Sequence, residues 1–261
     1  MSVSEVLGVP PTKTTSCRGG TASGQIPGQF VVQFTRQSPY LCCMNCLVTA
    51  GPTFEPLDDV RRLTNFSTGR LGTELANFLT ARGHRVTLLI GESATYAGER
   101  TAHAVNTYST TGDLRAQLKA FSGKKVDAIF HAAAVSDFSF GRLFTRGTTG
   151  KLRPFKPSRK ISTRGNRLLV ELVPTPKIIA ELRGWFPKSK IVGWKFEAVG
   201  RRADAVRAAK RQLADCATDF CVANGPAYGK GFSLVSGSGR KHYASMERLF
   251  AALEAAAFGQ S

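Results

Sequence analysis

The sequence predicts an α/β protein built on a doubly wound, mostly parallel sheet. Three observations carry that prediction. Short, continuously apolar runs alternate with segments whose apolar residues recur at helical spacing. The first run leads into its helix through an unusually long connection, Thr49 to Gly72, where such connections ordinarily take about 2–6 residues. One strongly basic interval, from Asp137 to Glu171, interrupts the alternation, and the pattern then resumes.

The elements follow in order. Cys46-Leu47-Val48 reads as a buried strand that ends at the Gly51-Pro52 break. Leu71, Leu75, Ala76 and Leu79 fall on one helix face, with Gly83 in a stop position. Val86 to Ile90 is a strand ending at Gly91, Leu114 to Phe121 a helix, and Val126 to Ala134 the next strand. Ile178 to Trp185 is a helix, Ile191 to Trp194 a strand, Arg202 to Cys216 a helix and Phe220 to Ala223 a strand. Ser245 to Phe258 closes the chain as a helix. This is a Rossmann-like order, and ligands in such sheets bind beyond the carboxyl ends of the strands.

The basic interval holds Arg142, Arg146, Lys151, Arg153, Lys156, Arg159, Lys160, Arg164 and Arg167, with no acid between its ends. Pro154 and Pro157 interrupt it, and Gly165-Asn166 reads as a turn between Lys160-Ile161-Ser162 and Leu168 to Leu172. The expectation is a flexible basic lid followed by an antiparallel β-hairpin, both protruding from the sheet.

Residues 1–45 differ from the rest: rich in Ser, Thr and Gly, without sustained periodicity, and with one acid, Glu5. They read as a leader, whether disordered, a transit peptide or upstream of a misplaced start, and 46–261 reads as the domain. The expected location is the cytoplasm, or an organelle if the leader is a transit peptide. No apolar run approaches the roughly 20 residues of a membrane span. Six Cys in a chain of 261 residues suggest reduced thiols rather than a disulfide scaffold. Cys43 and Cys46 with Cys216 and Cys221 make a poor zinc set. Against 18 Asp and Glu stand 36 Lys and Arg, a net charge of +18, which points to anionic partners.

The chemistry concentrates at strand ends. Asn65-Phe66-Ser67-Thr68-Gly69-Arg70 brings hydroxyls, backbone N–H groups and a guanidinium to a helix N-terminus, a ready anion site. Ala132-Ala133-Ala134-Val135-Ser136-Asp137 lets a ligand lie against backbone, and Asp137 offers a carboxylate to a nucleotide hydroxyl, a base or bound Mg²⁺.

Gly51-Pro52-Thr53, Glu55-Pro56, Asp58, Val60-Arg61 and Asn65-x-Ser67-Thr68-Gly69-x-x-Gly72 together resemble the first motif of the phosphopantothenate–cysteine ligases. The Ala132–Asp137 stretch resembles the second motif, and Lys160-Ile161 with Leu172 to Ile178 the third. Ile191 to Glu197 resembles the fourth, and Asp219 to Asn224 the fifth. Thr68 and Asp59 stand where the family usually has Ser and often has Pro.

The resemblance covers roughly residues 46–258. It implies ligation of 4′-phosphopantothenate to L-cysteine through an acyl-nucleotide, a step of coenzyme A synthesis. It implies Asn65 and Lys160 as catalytic residues, and Ser67, Thr68, Gly69 and Arg70 around the substrate phosphate. The nucleotide would lie against Gly51, Thr53, Ala132, Ala133, Asp137, Lys160, Val173, Pro174, Thr175, Pro176 and Trp194. Lys210 stands near one of two family lysines and Cys216 near the other.

Mg²⁺ is the implied cofactor, with Asp137 as its ligand. CTP is the expected co-substrate and ATP the alternative, since the first motif resembles bacterial members and the second eukaryotic ones. A homodimer is implied, as is a ligase without flavin, because residues 1–45 are too few for a flavin domain. A short-chain oxidoreductase would need Gly-x-Gly-x-x-Gly and a Tyr with Lys four residues on, and a P-loop kinase a Gly-Lys-[Ser/Thr]; all are missing. The other alternative is a basic nucleotide- or nucleic-acid-binding protein without ligase activity, but only Phe144 and Phe155 interleave the basic interval, so no specific nucleic-acid partner is expected.

Overall fold

The computed structural model describes residues 43–147, 150–156, 160–162 and 167–259. Strand β1 (Asn45–Ala50) lies at the centre of an eight-stranded sheet. Its side chains alternate between two cores. Cys46, Val48 and Ala50 pack with α1 (Arg70–Ala81) and α5 (Met246–Phe258) on one face. Leu47 packs with α2 (Thr111–Lys119) and α3 (Ile178–Trp185) on the other. A strand covered on both faces reads as a near-continuous apolar run, and the one buried polar side chain of β1, Thr49, lies next to its carboxyl end, where it meets His131.

Two strands join β1 on one side: β4 (Arg85–Gly91), then β5 (Ala104–Tyr108). The chain then crosses to β6 (Ala128–His131), on the other side of β1, and continues outward through β10 (Lys190–Phe196) and β11 (Phe220–Asn224). All these pairings are parallel. The reversal of direction between β1 and β6 is the topological switch point, where the strand ends leave a crevice. Helix α4 (Arg202–Cys216) covers β11 through Ala205, Val206 and Ala209. An antiparallel hairpin, β12 (Phe232–Ser236) and β13 (Gly239–Tyr243), completes the sheet.

Helix ends follow the sequence closely. α3 and α4 have the predicted limits, and the Ser245 side chain caps α5 by accepting from the Arg248 N–H. After α1, the His84 N–H donates to the Leu79 carbonyl and Gly83 N–H to that of Thr80, closing the helix at the expected glycine.

Helix α2 starts three residues earlier and ends two residues earlier than expected, β6 is shorter than the expected Val126 to Ala134, and the larger departures are in β structure outside the buried parallel strands. The long connection contains a small hairpin, β2 (Phe54–Pro56) and β3 (Arg62–Thr64). β5, β12 and β13 were not predicted; β5 and β13 are edge strands, mostly exposed, and lack an apolar run. The basic interval is not a loop with a hairpin behind it. Its residues build a three-stranded antiparallel sheet from β7 (Phe138–Arg146), β8 (Leu152–Phe155) and β9 (Arg167–Pro174), with β7 in the centre. The segment Lys160-Ile161-Ser162 is not a strand, and Leu168–Leu172 pairs with β7 instead. Basic residues occur there because strands exposed on their faces tolerate Arg and Lys at outward positions. The predicted turn at Gly165-Asn166 lies outside the described residues, as does nearly all of 1–45. Asn45, however, opens β1, and its backbone and side-chain N–H groups donate to Asp127 at 2.7 and 3.2 Å. The strand thus starts one residue before the expected boundary.

Candidate active site

The site is assembled where β1 and β6 run past the sheet. After Ala50 the chain turns at Gly51, whose φ of +80° suits a residue without a side chain. A Cβ there would also stand 2.9 Å from Ala94 Cβ and 3.2 Å from the Gly91 nitrogen. The turn sets Pro52 beside Ala134 in a parallel bridge. The Thr53 N–H donates to the Ala134 carbonyl at 3.1 Å, and the Ala134 N–H to the Gly51 carbonyl at 2.9 Å. The hairpin β2–β3 then carries the chain back. At its end the Asn65 amide nitrogen donates to the carbonyls of Ala134 and Val135 at 3.0 and 3.2 Å. Both acceptors are carbonyls, so the nitrogen rather than the oxygen of the amide faces them.

Between these pieces lies a cavity of about 830 Å³. Its floor is His131, the last residue of β6, whose Nδ1 lies 2.9 Å from the Thr49 hydroxyl across the β1–β6 pair. Thr49 Oγ1 also accepts from the Ala133 N–H at 3.1 Å. Burial pushes the His131 pKa down to about 4, so the ring is neutral at pH 7. One wall is the small-residue run to Asp137; the opposite wall is Pro174 to Ile179, which enters from β9. Thr175 ties the two together: its N–H donates to the Asp137 carbonyl at 3.0 Å and its hydroxyl to that of Ser136. Trp194 and Lys195 of β10, Gln212 of α4 and Asn224 of β11 form the far side. Trp194 Nε1 and Asn224 Oδ1 there are buried without a partner among the described residues.

Residues 41–238 match the family model described as the DNA/pantothenate metabolism flavoprotein C-terminal domain. The chain belongs to this family. It is 34% identical over 178 residues to the coenzyme A biosynthesis bifunctional protein CoaBC of Thermococcus kodakarensis, covering 68% of this chain and 40% of that protein. The chain thus spans well under half the length of that relative. Among solved structures it resembles the DNA/pantothenate metabolism flavoprotein of Streptococcus pneumoniae, with a TM-score of 0.69 and 23% identity over 81% of this chain and 96% of the other. It also resembles a Cab2 H337A mutant in complex with phosphopantothenate-cysteine, with a TM-score of 0.64 and 20% identity over 82% and 86% of the two chains. At these identities the structural likeness establishes a shared fold.

Seen in this flavoprotein C-terminal domain, the predicted residues divide into two groups. Asn65, Ser67, Ala132, Ala133, Asp137, Pro174, Thr175, Pro176 and Trp194 all line the cavity. Gly51, Thr53, Thr68, Gly69, Arg70, Lys160, Val173 and Lys210 are not among its lining residues. Gly51 makes the turn. Thr53 is fully buried, its hydroxyl accepting from the Ser136 N–H at 2.8 Å and meeting that of Thr111 at 3.2 Å, so it holds the scaffold rather than a ligand. Val173 pairs with Ser139 inside the antiparallel sheet. Lys210 is on the exposed side of α4, and the helix presents Gln212 to the cavity instead. Gln212 fits because β10 has Gly193 beneath it, where a Cβ would lie 2.2 Å from Gln212 Nε2.

The anion loop sits at the cavity rim. Thr68 uses its carbonyl to accept from the Tyr96 N–H, and its hydroxyl accepts from the Arg70 N–H at 3.3 Å. Gly69 is the N-cap of α1. The Arg70 side chain turns along the helix to Glu74 at 2.7 Å and lies over the Tyr96 ring, rather than pointing into the cavity. Lys160 is exposed and immediately precedes Ile161, which is only 4% exposed.

His131, Lys177, Lys195, Gln212 and Asn224 are cavity residues that sequence reasoning did not select. Lys177, the N-cap of α3, and Lys195, near the end of β10, fall inside the third and fourth family-like segments, and their charge there is the signal in the sequence. Gln212 had none, because its place depends on a glycine on another element.

Proposed function

We propose that this domain ligates 4′-phosphopantothenate to L-cysteine by way of an acyl-nucleotide. The observation that supports this most is the convergence on one cavity of Asn65, the Ala132–Asp137 edge, Pro174–Lys177 and Trp194–Lys195, segments that are far apart in the chain. The relative named for coenzyme A biosynthesis and the fold neighbour solved with phosphopantothenate-cysteine support the same substrate class.

The carboxylate of phosphopantothenate is a poor acyl donor until it attacks the α-phosphate of a nucleoside triphosphate and displaces pyrophosphate. The amine of cysteine then attacks the acyl carbonyl and releases the nucleoside monophosphate. The chain's own groups serve these steps by position and charge. The half-buried small residues from Ala132 line the cavity and let the nucleotide lie against backbone. Lys177 and Lys195 supply positive charge for the triphosphate from the cavity lining, Lys160 does so from the segment between β8 and β9, and Trp194 and Asn224 line the place of the base. Ser67 to Arg70 receive the substrate's phosphate at the start of α1, for which the Arg70 side chain leaves Glu74. Asn65 braces the acyl-nucleotide site through Ala134 and Val135, with its amide oxygen left for the ligand.

No group of three or more His, Cys, Asp or Glu among the described residues could hold a metal ion. A Mg²⁺ would therefore be held by Asp137 together with phosphate oxygens, an oxygen set that suits it, and would neutralise triphosphate charge when bound. A homodimer through the exposed Phe138, Leu152 and Leu172 of the antiparallel sheet, and a cytoplasmic setting in keeping with free Cys43, Cys46, Cys216 and Cys221, complete the reading. No helix among the described residues is long and apolar enough to cross a membrane.

The test is pyrophosphate release with phosphopantothenate and cysteine, run in parallel with CTP and ATP and with and without Mg²⁺. Release that requires the acid substrate, with CTP preferred, is expected. Absence of release with either nucleotide would refute the ligase reading.

A further inference from the structure

The Asp58 carboxylate is engaged by several donors, and no step described above uses it. It sits in the bend between β2 and β3, yet its side chain has no solvent exposure. It accepts from the backbone N–H groups of Val60 and Arg61 at 3.0 and 2.8 Å, and from Arg61 Nε at 3.1 Å. It also accepts, across 103 positions of sequence, from the N–H of Ile161 at 3.0 Å. The same Arg61 guanidinium donates to the Ile161 carbonyl at 2.8 Å. One ion pair therefore holds both backbone polar groups of Ile161, while its side chain is buried. The Arg61 hydrogen bond first, and the Ile161 N–H next, keep the Asp58 carboxyl well below the usual carboxylate range.

We propose that the Asp58–Arg61 pair is the positioning device for Lys160: it docks Ile161 on the β2–β3 bend and so fixes the backbone from which the lysine projects. The hairpin that carries this pair also ends in Asn65, which lines the cavity. Both residues read as catalytic are thus mounted on one hairpin, Asn65 covalently and Lys160 through the ion pair. A charge pair suits that task better than an apolar contact. It fixes direction as well as proximity, because the guanidinium and the carboxylate hold the two peptide groups that flank the Ile161 Cα. The catalytic half of the inference rests on the ligase reading; the docking half does not.

The experiment separates the two. Full-length wild type, Asp58→Asn and Arg61→Lys are treated with trypsin, and cleavage of the Lys160–Ile161 bond is followed by mass spectrometry. Cleavage reports the population of the undocked segment when opening is fast. Loss of a charged hydrogen-bond set should speed it about 10- to 100-fold, with cleavage elsewhere and the melting temperature little changed. Unchanged cleavage, or equal acceleration at all sites, overturns the docking.

Pyrophosphate release is then measured for Asp58→Asn, Lys160→Ala and the double variant. If Asp58 acts through Lys160, the loss is in kcat and the double variant is no slower than Lys160→Ala alone. Multiplying losses, or an Asp58→Asn enzyme with wild-type kcat, overturns the positioning role. If wild type releases no pyrophosphate, the ligase reading fails, and the trypsin result alone decides whether the pair docks this segment.

Discussion

The two sheets of this molecule are built for different work. The central strands of the parallel sheet are buried on both faces: Leu47, Val48, Ile129 and Phe130 are at most 1% exposed, and the strand ends hold the floor of the cavity. The antiparallel sheet β7–β9 has one buried hydrophobic side chain, Leu143, and otherwise carries half-buried or exposed residues, many of them basic. It delivers Pro174 to Lys177 to the cavity, and the segment with Lys160 lies between two of its strands. The first sheet should therefore answer to mutation in stability, and the second in rate. A core residue lost from the parallel sheet leaves a defect that neighbours cannot fill, whereas the interactions of an exposed charged side chain are screened and their loss costs little stability.

The largest effect is expected on the rate side. Lys160→Ala should reduce pyrophosphate release on the order of 10²–10³-fold, the usual cost of one positioned charge donor, with the melting temperature unchanged. Single-turnover measurement with the expected nucleotide checks it. A melting temperature that falls with the rate would blur the distinction between the sheets.

The opposite behaviour is expected at Gly72. This first-turn residue of α1 lies so close to β1 that a Cβ would stand 2.6 Å from Ala50 Cβ and 3.0 Å from the Thr49 carbonyl oxygen. Both belong to the central strand, so nothing can yield cheaply. Gly72→Val should destabilise by about 1–3 kcal/mol, seen as a fall of roughly 3–10 °C in melting temperature.

This contrast also governs what was legible in the sequence. A strand covered on both faces has one solution, a run such as Leu47-Val48 or Val86 to Ile90, and those runs located five of the six parallel strands. Helices α3 and α4 were legible because their apolar spacing and flanking residues agree. The edge strand β5, the hairpin β2–β3 and the sheet β7–β9 obey weaker constraints. Ala104-Val105-Asn106-Thr107 is exposed and has no apolar pattern, and Arg142 to Arg146 reads as charge before it reads as strand. The cavity shows the same division. Its backbone edges, Ala132 to Asp137 and Pro174 to Pro176, follow from motifs. Gln212 follows from Gly193, and the retraction of Arg70 follows from Glu74 and Tyr96. Such pairings exist only once the fold brings their members together.

A pH titration sharpens the comparison from the parallel side. His131 has a folded pKa of about 4 against roughly 6.5 in an unfolded chain. Between those values the unfolded state binds more protons, so stability falls as pH drops from about 6.5 to 4 and levels off below. The slope from this one residue is at most about 1.4 kcal/mol per pH unit. Urea midpoints at pH 5 and 7 should differ more in wild type than in His131→Phe. Equal differences would mean that the ring is solvated in the folded protein.

The smallest effects belong to Arg142 and Glu171 on the antiparallel sheet. The β7–β9 register shifts between Phe140 and Leu143, a bulge that takes Arg142 out of the ladder. Glu171 accepts the Arg142 backbone N–H at 3.0 Å and its Nε at 3.2 Å. The Arg142 side chain is 79% exposed, so the ion pair is solvated and weak, while the backbone contact closes the bulge. Arg142→Ala removes only the former and should lower the melting temperature by less than about 2 °C. Glu171→Gln keeps an acceptor for the N–H and should match it. Glu171→Ala removes both contacts and should cost more, though no more than about 4 °C. The Arg142 hydrogen bonds hold the Glu171 carboxyl below its ordinary value, so the pair's contribution is present above pH 4.5 and is lost as acid titrates the carboxylate. The gap between wild type and Arg142→Ala should therefore narrow as the pH falls below 4.5 and close once the folded carboxylate is protonated, and that between wild type and Glu171→Ala should only narrow, since a protonated carboxyl still accepts. A loss on Arg142→Ala as large as that on Gly72→Val would show that the antiparallel sheet carries stability after all, and that the two sheets do not divide the work as their burial implies.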